Sequence, residues 1–206
     1  LSPTLAPANI AINNTDLLIL AGARVGDRAM GQAQRISEKA MIIHIDIDPA
    51  EIGKNIDTSI PVVGDVKLVL KDLLKMVEKG DTEEWVNSLK AEREKCARRI
   101  EDYPDRGFVN PAYLLRKLSE MAGENSIFTT EVGQNQIWAA NHCKVRNPRT
   151  FITSGGMGTM GYGLPAAVGA KIGKPESTVI AIGGDGSFQM TMYELGTIKQ
   201  NRLGVK

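Results

Sequence analysis

Short apolar runs alternate with longer polar stretches along most of this chain, and the runs end at glycine or an acid. Leu17-Leu18-Ile19-Leu20 ends at Ala21-Gly22, Met41-Ile42-Ile43-His44-Ile45 at Asp46, and Ile60-Pro61-Val62-Val63 at Gly64. Runs this short, apolar at nearly every position, read as strands buried on both faces, the habit of parallel sheets. From Asp65 to Glu78 the period becomes helical, with Val66, Val69, Leu70, Leu73, Leu74 and Val77 on one face and Asp65 as N-cap. The first dozen residues show no clear entry element.

Residues 80–108 change character. Glu83, Glu84, Lys90, Glu92, Arg93, Glu94 and Lys95 dominate, with Trp85, Leu89, Cys96 and Ile100 as spaced anchors, so an exposed linker helix is expected. Tyr103-Pro104-Asp105-Arg106-Gly107 breaks it. A second unit opens at Asn110-Pro111, a cap followed by proline at the first helical position. The pattern then predicts a helix over 111–122, a strand Ser126–Thr130, a helix near 133–141 and a strand Thr150–Thr153. A glycine-rich turn, a small-residue helix over 160–172, a strand Thr178–Ile182 and a last helix over 188–200 follow. Residues 201–206 read as a loop leading to a strand that does not arrive, and both ends read as cut. The expected fold is α/β: two parallel-sheet units, residues 1–80 and 109–206, joined by a charged linker helix over 81–108.

Composition narrows the partners. The 206 residues are 42% hydrophobic and 24% charged, with a formal net charge of +1. That balance gives no field to recruit nucleic acid or an anionic membrane. No stretch approaches the roughly eighteen apolar residues of a membrane span, and Leu1-Ser2-Pro3-Thr4 is not a signal peptide. Two cysteines, Cys96 and Cys143, and two histidines, His44 and His142, have no zinc-like spacing. A reducing, cytoplasmic compartment follows. His142-Cys143 reads as packing or surface, since adjacent residues rarely point the same way.

Three segments carry candidate chemistry. The run Thr178–Ile182 empties into Gly183-Gly184-Asp185-Gly186-Ser187, where a helix begins. Glycines there allow a tight turn and close backbone approach to a ligand. Helix-terminal N–H groups suit an anion, and Asp185 adds one hard oxygen for magnesium. The plain alternative is a strand-to-helix turn with Asp185 as N-cap. Ser154-Gly155-Gly156-Met157-Gly158-Thr159-Met160-Gly161 contains a literal G-x-G-x-x-G at Gly156, Gly158 and Gly161. Read alone, it points to a nicotinamide dehydrogenase. Two glycine-rich turns at neighbouring strand ends point instead to two walls around one ligand. In the third segment, Glu131-Val132-Gly133-Gln134-Asn135-Gln136, the amides of Gln134 and Asn135 are placed to meet an anion or to stay solvated at a helix cap.

In this order and spacing, the three segments resemble the thiamine-diphosphate enzymes, and among them acetolactate synthase. The likeness extends through Gly161-Tyr162-Gly163-Leu164-Pro165-Ala166-Ala167 and, in the first unit, His44-Ile45-Asp46-Ile47-Asp48-Pro49-Ala50-Glu51-Ile52-Gly53-Lys54-Asn55. It implies that Asp185 ligates magnesium, which bridges the cofactor diphosphate. Gly184, Gly186 and Ser187 would line that site, with Gln134 and Asn135 reaching it from the other side. Gly158 and Met160 would support the cofactor in its bent form. The first unit would be the later part of a middle domain that holds FAD, with Gly22, Arg24, Arg28, Asp46 and Asp65 at flavin-contacting positions and Gly155 and Gly156 approaching from the second unit. Two departures stand out: Asn135 replaces the usual histidine, and Val25-Gly26 replace an aromatic residue and a carboxylate.

The resemblance further implies a parent enzyme that decarboxylates pyruvate and passes the two-carbon unit to a second 2-keto acid, for branched-chain amino acid synthesis. It would be a homodimer or homotetramer, with a regulatory subunit in some members. The catalytic glutamate lies in a preceding domain and an asparagine of the metal site beyond Lys206, so this chain alone is expected to be inactive. Pyruvate oxidase and glyoxylate carboligase are near alternatives; a non-catalytic interaction module is the distant one.

Overall fold

The computed structural model describes residues 6–26, 34–101 and 107–206. Arg28 and the expected break at 103–106 lie outside them. The chain divides between Ala97 and Arg98, inside one long helix.

The first unit opens with helix α1 (Ala6–Asn14), where no element was expected. Its apolar residues form no stripe, so periodicity could not announce it. Pro7 sits where a helix has no N–H to lose. Asn13 and Asn14 donate back to the carbonyls of Asn9 and Ile10. Strand β1 (Leu17–Ala21), a short helix α2 (Gln34–Ser37), β2 (Met41–Asp46), β3 (Ile60–Val63) and helix α3 (Val66–Leu73) follow. The three strands are parallel in the order β1-β2-β3, with Ala21 beside Ile45 and Asp46 beside Val63. Leu20, Val25, Ala40, Ile42 and Ile56 form the core on one side of the sheet. Asp65 caps α3 as expected, its carboxylate accepting from the Leu68 N–H at 3.1 Å. The helix is shorter than its apolar face, because Leu74–Met76 turn out of it. Helix α4 (Glu83–Glu101) is the expected charged helix.

The second unit runs α5 (Pro111–Met121), β4 (Ser126–Thr130), α6 (Gln134–His142), β5 (Phe151–Thr153), α7 (Gly163–Gly173), β6 (Thr178–Ile182), α8 (Asp185–Thr191) and α9 (Glu194–Gln200). Asn110 caps α5, accepting from the N–H groups of Ala112 and Tyr113. The sheet is again parallel, in the order β5-β4-β6, and every residue of the central strand β4 is buried. Ile127, Ala167 and Val179 form the packed centre between sheet and α7.

Three expectations needed correction. The small-residue helix starts at Gly163, not 160, because Gly161 adopts φ +80°, which no right-handed helix contains. The last helix is two, and the first begins at Asp185 inside the motif. Tight i to i+3 bonds, Met192 to Leu195 and Tyr193 to Gly196, form the turn that separates them. Lastly, the final residues do pair: Val205 bridges Val179 in parallel, and Lys206 exchanges backbone bonds with Val179 and Ala181.

Candidate functional site

Because β4, β5 and β6 are parallel and adjacent, the turns after all three emerge at one edge of the second sheet. This is where ligands bind in open α/β sheets. Register alone therefore brings together Gln134 and Asn135 after β4, Gly155, Gly156, Gly158 and Met160 after β5, and Gly184, Asp185, Gly186 and Ser187 after β6.

After β4 the chain passes through Gly133 at φ +147°, a conformation open essentially to glycine alone, and enters α6. Gln134 is exposed at the first turn. Gln136 fastens this turn to β5, donating to the Thr153 hydroxyl at 2.7 Å, itself paired with Thr130 at 2.7 Å. Asn135 leans across to the neighbouring turn: a Cβ placed on Gly184 would lie 3.1 Å from its Nδ2. Its Oδ1 is buried and has no partner among the described residues.

After β6, Gly184 is the N-cap of α8 and Asp185 lies in the first helical turn. Asp185 is thus not the cap, as the plain alternative would have it. Its carboxylate is exposed and accepts no hydrogen bond from the described residues. Ser187 differs: its buried hydroxyl donates to the Val132 carbonyl at 3.0 Å, tying α8 to the turn after β4. That side chain is a strut facing protein.

After β5, the Ser154 hydroxyl accepts from the Thr159 N–H at 3.0 Å and shapes the glycine-rich turn. Gly155, Gly156 and Gly158 are exposed, and a Cβ on Gly156 or Gly158 would touch nothing. The Met160 methyl would lie 3.8 Å from a Cβ on Gly186, so two of the turns touch.

Glu131, the first residue of the third segment, takes a part that its position in the sequence does not announce. It is 2% exposed, and its two carboxylate oxygens accept from the Gly161 N–H at 2.8 Å and the Leu164 N–H at 3.1 Å. Tyr162, the N-cap of α7, supplies no side-chain bond of its own. Glu131 therefore fills the helix N-terminus where a dinucleotide fold would seat its pyrophosphate. This counts against the nicotinamide reading of Gly156, Gly158 and Gly161. The only signal in the sequence was an acid directly after a buried strand.

The donor set fits a magnesium diphosphate. Two helix starts, α6 and α8, offer N–H groups at one sheet edge, beside an unbonded carboxylate and an orphaned amide oxygen. Among the described residues no three His, Cys, Asp or Glu side chains cluster, so a metal here would complete its shell with phosphate oxygens and water, as magnesium commonly does.

In the first unit, the parallel register likewise gathers Gly22, Arg24, Asp46 and Asp65 at one sheet edge. Gly22 adopts φ +60°, and its N–H donates to the Ile45 carbonyl. Asp46 accepts from the Asp48 N–H at 3.0 Å and Asp65 caps α3, leaving each carboxylate one further oxygen. Val25, in place of an aromatic residue, turns into the core.

His142 and Cys143 offer no nucleophile. Burial, then Arg116, lowers the His142 pKa, and burial pushes the Cys143 thiol up to about 11. With the thiol so protonated, Cys143 in the folded protein should react with a disulfide reagent at pH 8 about a hundredfold more slowly than a free cysteine of ordinary pKa. Ellman kinetics with and without denaturant check this, using a Cys96→Ser background. Equal rates in both conditions would contradict the burial.

Two family models match this chain: the C-terminal TPP binding domain of thiamine pyrophosphate enzymes over residues 131–206, and their central domain over residues 4–73. Among curated relatives, a probable acetolactate synthase large subunit from Methanococcus aeolicus is 42% identical, over 97% of this chain and 36% of its own length. A protein of the same description from Methanocaldococcus jannaschii is 46% identical over 96% and 35%. The chloroplastic acetolactate synthase 1 of Nicotiana tabacum is 42% identical over 97% and 30%. The chain spans about a third of the length of the curated relatives it matches.

Proposed function

Since this chain belongs to the thiamine-diphosphate enzymes, matching parts of their central and cofactor-binding domains, we propose that it is a portion of an acetolactate synthase catalytic subunit. The whole protein would decarboxylate pyruvate and join the two-carbon unit to a second 2-keto acid. The relatives' names support the activity. The observation that carries the site is the exposed, unbonded carboxylate of Asp185, beside two helix starts at one sheet edge.

Thiamine diphosphate, when bound, supplies the electron sink for decarboxylation. The protein's own groups hold and orient it. Asp185 would take magnesium, with Gly184 and Gly186 giving the backbone room to approach. Gln134 and Asn135 would donate amide N–H groups to the diphosphate from α6, and Gly158 and Met160 would line the wall next to the reacting part. Fixing the cofactor this way removes the translational and rotational cost from the chemical step. The glutamate and asparagine expected to complete the site lie in parts of the family's sequence that this chain does not span.

The proposal extends to FAD in the first unit, at Gly22, Arg24, Arg28, Asp46 and Asp65. Its support is the shared sheet edge of Gly22, Arg24, Asp46 and Asp65; Val25, buried in the core, offers no ring for stacking. A colourless intact protein that releases no flavin on heating would remove this part. We also assign a homodimer or homotetramer, a regulatory subunit and a cytoplasmic location. Exposed Met190, Met192 and Tyr193 give a second copy apolar surface to cover, and two cysteines outside any disulfide suit a reducing compartment. Among the described residues no helix is long and apolar enough to cross a membrane.

The test is titration of the intact protein with thiamine diphosphate, with magnesium and with excess chelator, alongside pyruvate consumption. Magnesium-dependent binding with release of carbon dioxide is expected. Binding of NAD in its place, indifferent to magnesium, would overturn the proposal.

A further inference from the structure

Glu131 stands where the three turns of the site meet. Its carboxylate crosses from the end of β4 to the glycine-rich turn and accepts from the N–H of Gly161, the residue directly after Met160. The other oxygen accepts from Leu164 and holds the first turn of α7. Its aliphatic stem meets the third turn, since a Cβ on Gly183 would lie 3.2 Å from Glu131 Cγ. The next residue, Val132, receives the Ser187 hydroxyl from α8. Few alternatives exist for the turn itself. Gly161 adopts φ +80°, and a Cβ there would lie 3.0 Å from the Thr191 methyl, so the residue that follows Met160 has no room for a side chain.

We infer that Glu131 is a positioning residue for the proposed reaction: its buried carboxylate sets where Met160 stands relative to the Gly184-Asp185-Gly186 turn. The inference rests on the thiamine-diphosphate reading. It separates two tasks within one site. Asp185 and the start of α6 grip the diphosphate, and they do not depend on the Gly161 bond. Met160 lines the reacting part, and its backbone follows the Glu131 carboxylate. Removing one acceptor oxygen leaves the grip and loosens the wall. Buried between two N–H donors, a glutamine at this position would face one of them with its own NH₂ group, so one bond is lost and a repulsion replaces it.

The experiment compares Glu131→Gln and Glu131→Asp with wild type in the intact protein. It measures kcat, KM for pyruvate, magnesium-dependent affinity for thiamine diphosphate and the melting temperature. For Glu131→Gln, kcat is expected to fall by about tenfold or more, as a small displacement of a positioned group does. Cofactor affinity and KM should stay within about threefold of wild type. Glu131→Asp keeps the charge and should recover part of the loss. It also carries the measurement if the glutamine variant fails to fold. A variant that melts lower but turns over at the wild-type kcat when saturated would show a mere strut and overturn the inference. Parallel loss of cofactor affinity and kcat would overturn it too. A wild-type protein with no magnesium-dependent affinity for thiamine diphosphate would bring down the parent reading, which is distinguishable from either result.

Discussion

Replacing Asp185 by alanine in the intact protein is expected to lower pyruvate turnover by about a thousandfold, equivalent to ~4 kcal/mol of lost stabilisation, and to abolish magnesium-dependent cofactor binding. Two features of the structure set the size of the effect. Among the described residues no three His, Cys, Asp or Glu side chains cluster, and the Glu131 carboxylate is already taken by the Gly161 and Leu164 N–H groups, so it is not free to replace Asp185 as a ligand. The Asp185 carboxylate also makes no bond among the described residues, so its removal orphans no partner there. Its one structural contribution is a negative charge in the first turn of α8, worth roughly 0.3–1 kcal/mol. Melting should therefore move by only a few degrees while activity collapses. Asp185→Asn keeps the shape and one oxygen but loses the charge, and should fall between the two. Full activity of the alanine variant at ordinary magnesium concentrations would contradict the assignment of the metal site. A fold lost along with the activity would contradict the structural account of that turn.

The strands of this protein are visible in its sequence for a physical reason. Strands of parallel sheets are rich in β-branched and apolar residues, and here they end where glycine or an acid lets the chain turn. So Ser126–Thr130 and Thr178–Ile182 stand where the pattern placed them, and parallel order then fixes which turns share an edge. Caps are equally local: Asp65 and Asn110 bond residues two or three positions on, within reach of any reading of the sequence. Helices without a stripe are a different matter. Helix α1 has no periodic face, and α8 begins inside a motif whose glycines suggested a turn. The least legible features join residues far apart. Glu131 is thirty residues from Gly161, and Ser187 is fifty-five from Val132. Their spacing carries no signal, so one looked like part of a motif without a role and the other like a ligand-lining hydroxyl. The resemblance named the chemistry of this edge. Only the packing shows which side chains face inward to hold the turns.

The same packing makes Gly163→Ala the substitution with the largest expected effect on stability. A Cβ at Gly163 would lie 2.6 Å from the Glu131 nitrogen, 2.7 Å from the Thr130 carbonyl carbon and 2.9 Å from its oxygen. These are backbone atoms of the central strand, not the ends of flexible side chains, so relief requires α7 to move off β4. That movement would break the bond from the Thr129 hydroxyl to the Gly163 carbonyl, 2.8 Å long, and strain both Glu131 bonds. Alanine gains about 1 kcal/mol of helix propensity over glycine. Overpacking and lost buried bonds together outweigh it, at roughly 3 kcal/mol or more. Gly169 in the same helix is the control: a Cβ there meets nothing within 4 Å. With only propensity at stake, Gly169→Ala should stabilise by about 0.5–1 kcal/mol. Urea unfolding of the intact protein, followed at the transition that contains this unit, should move to lower denaturant for the first variant and slightly higher for the second. Equal midpoints for the two would mean that α7 does not lie against β4 as described. In that case the bonds that hold the glycine-rich turn to Glu131 would lose their basis as well.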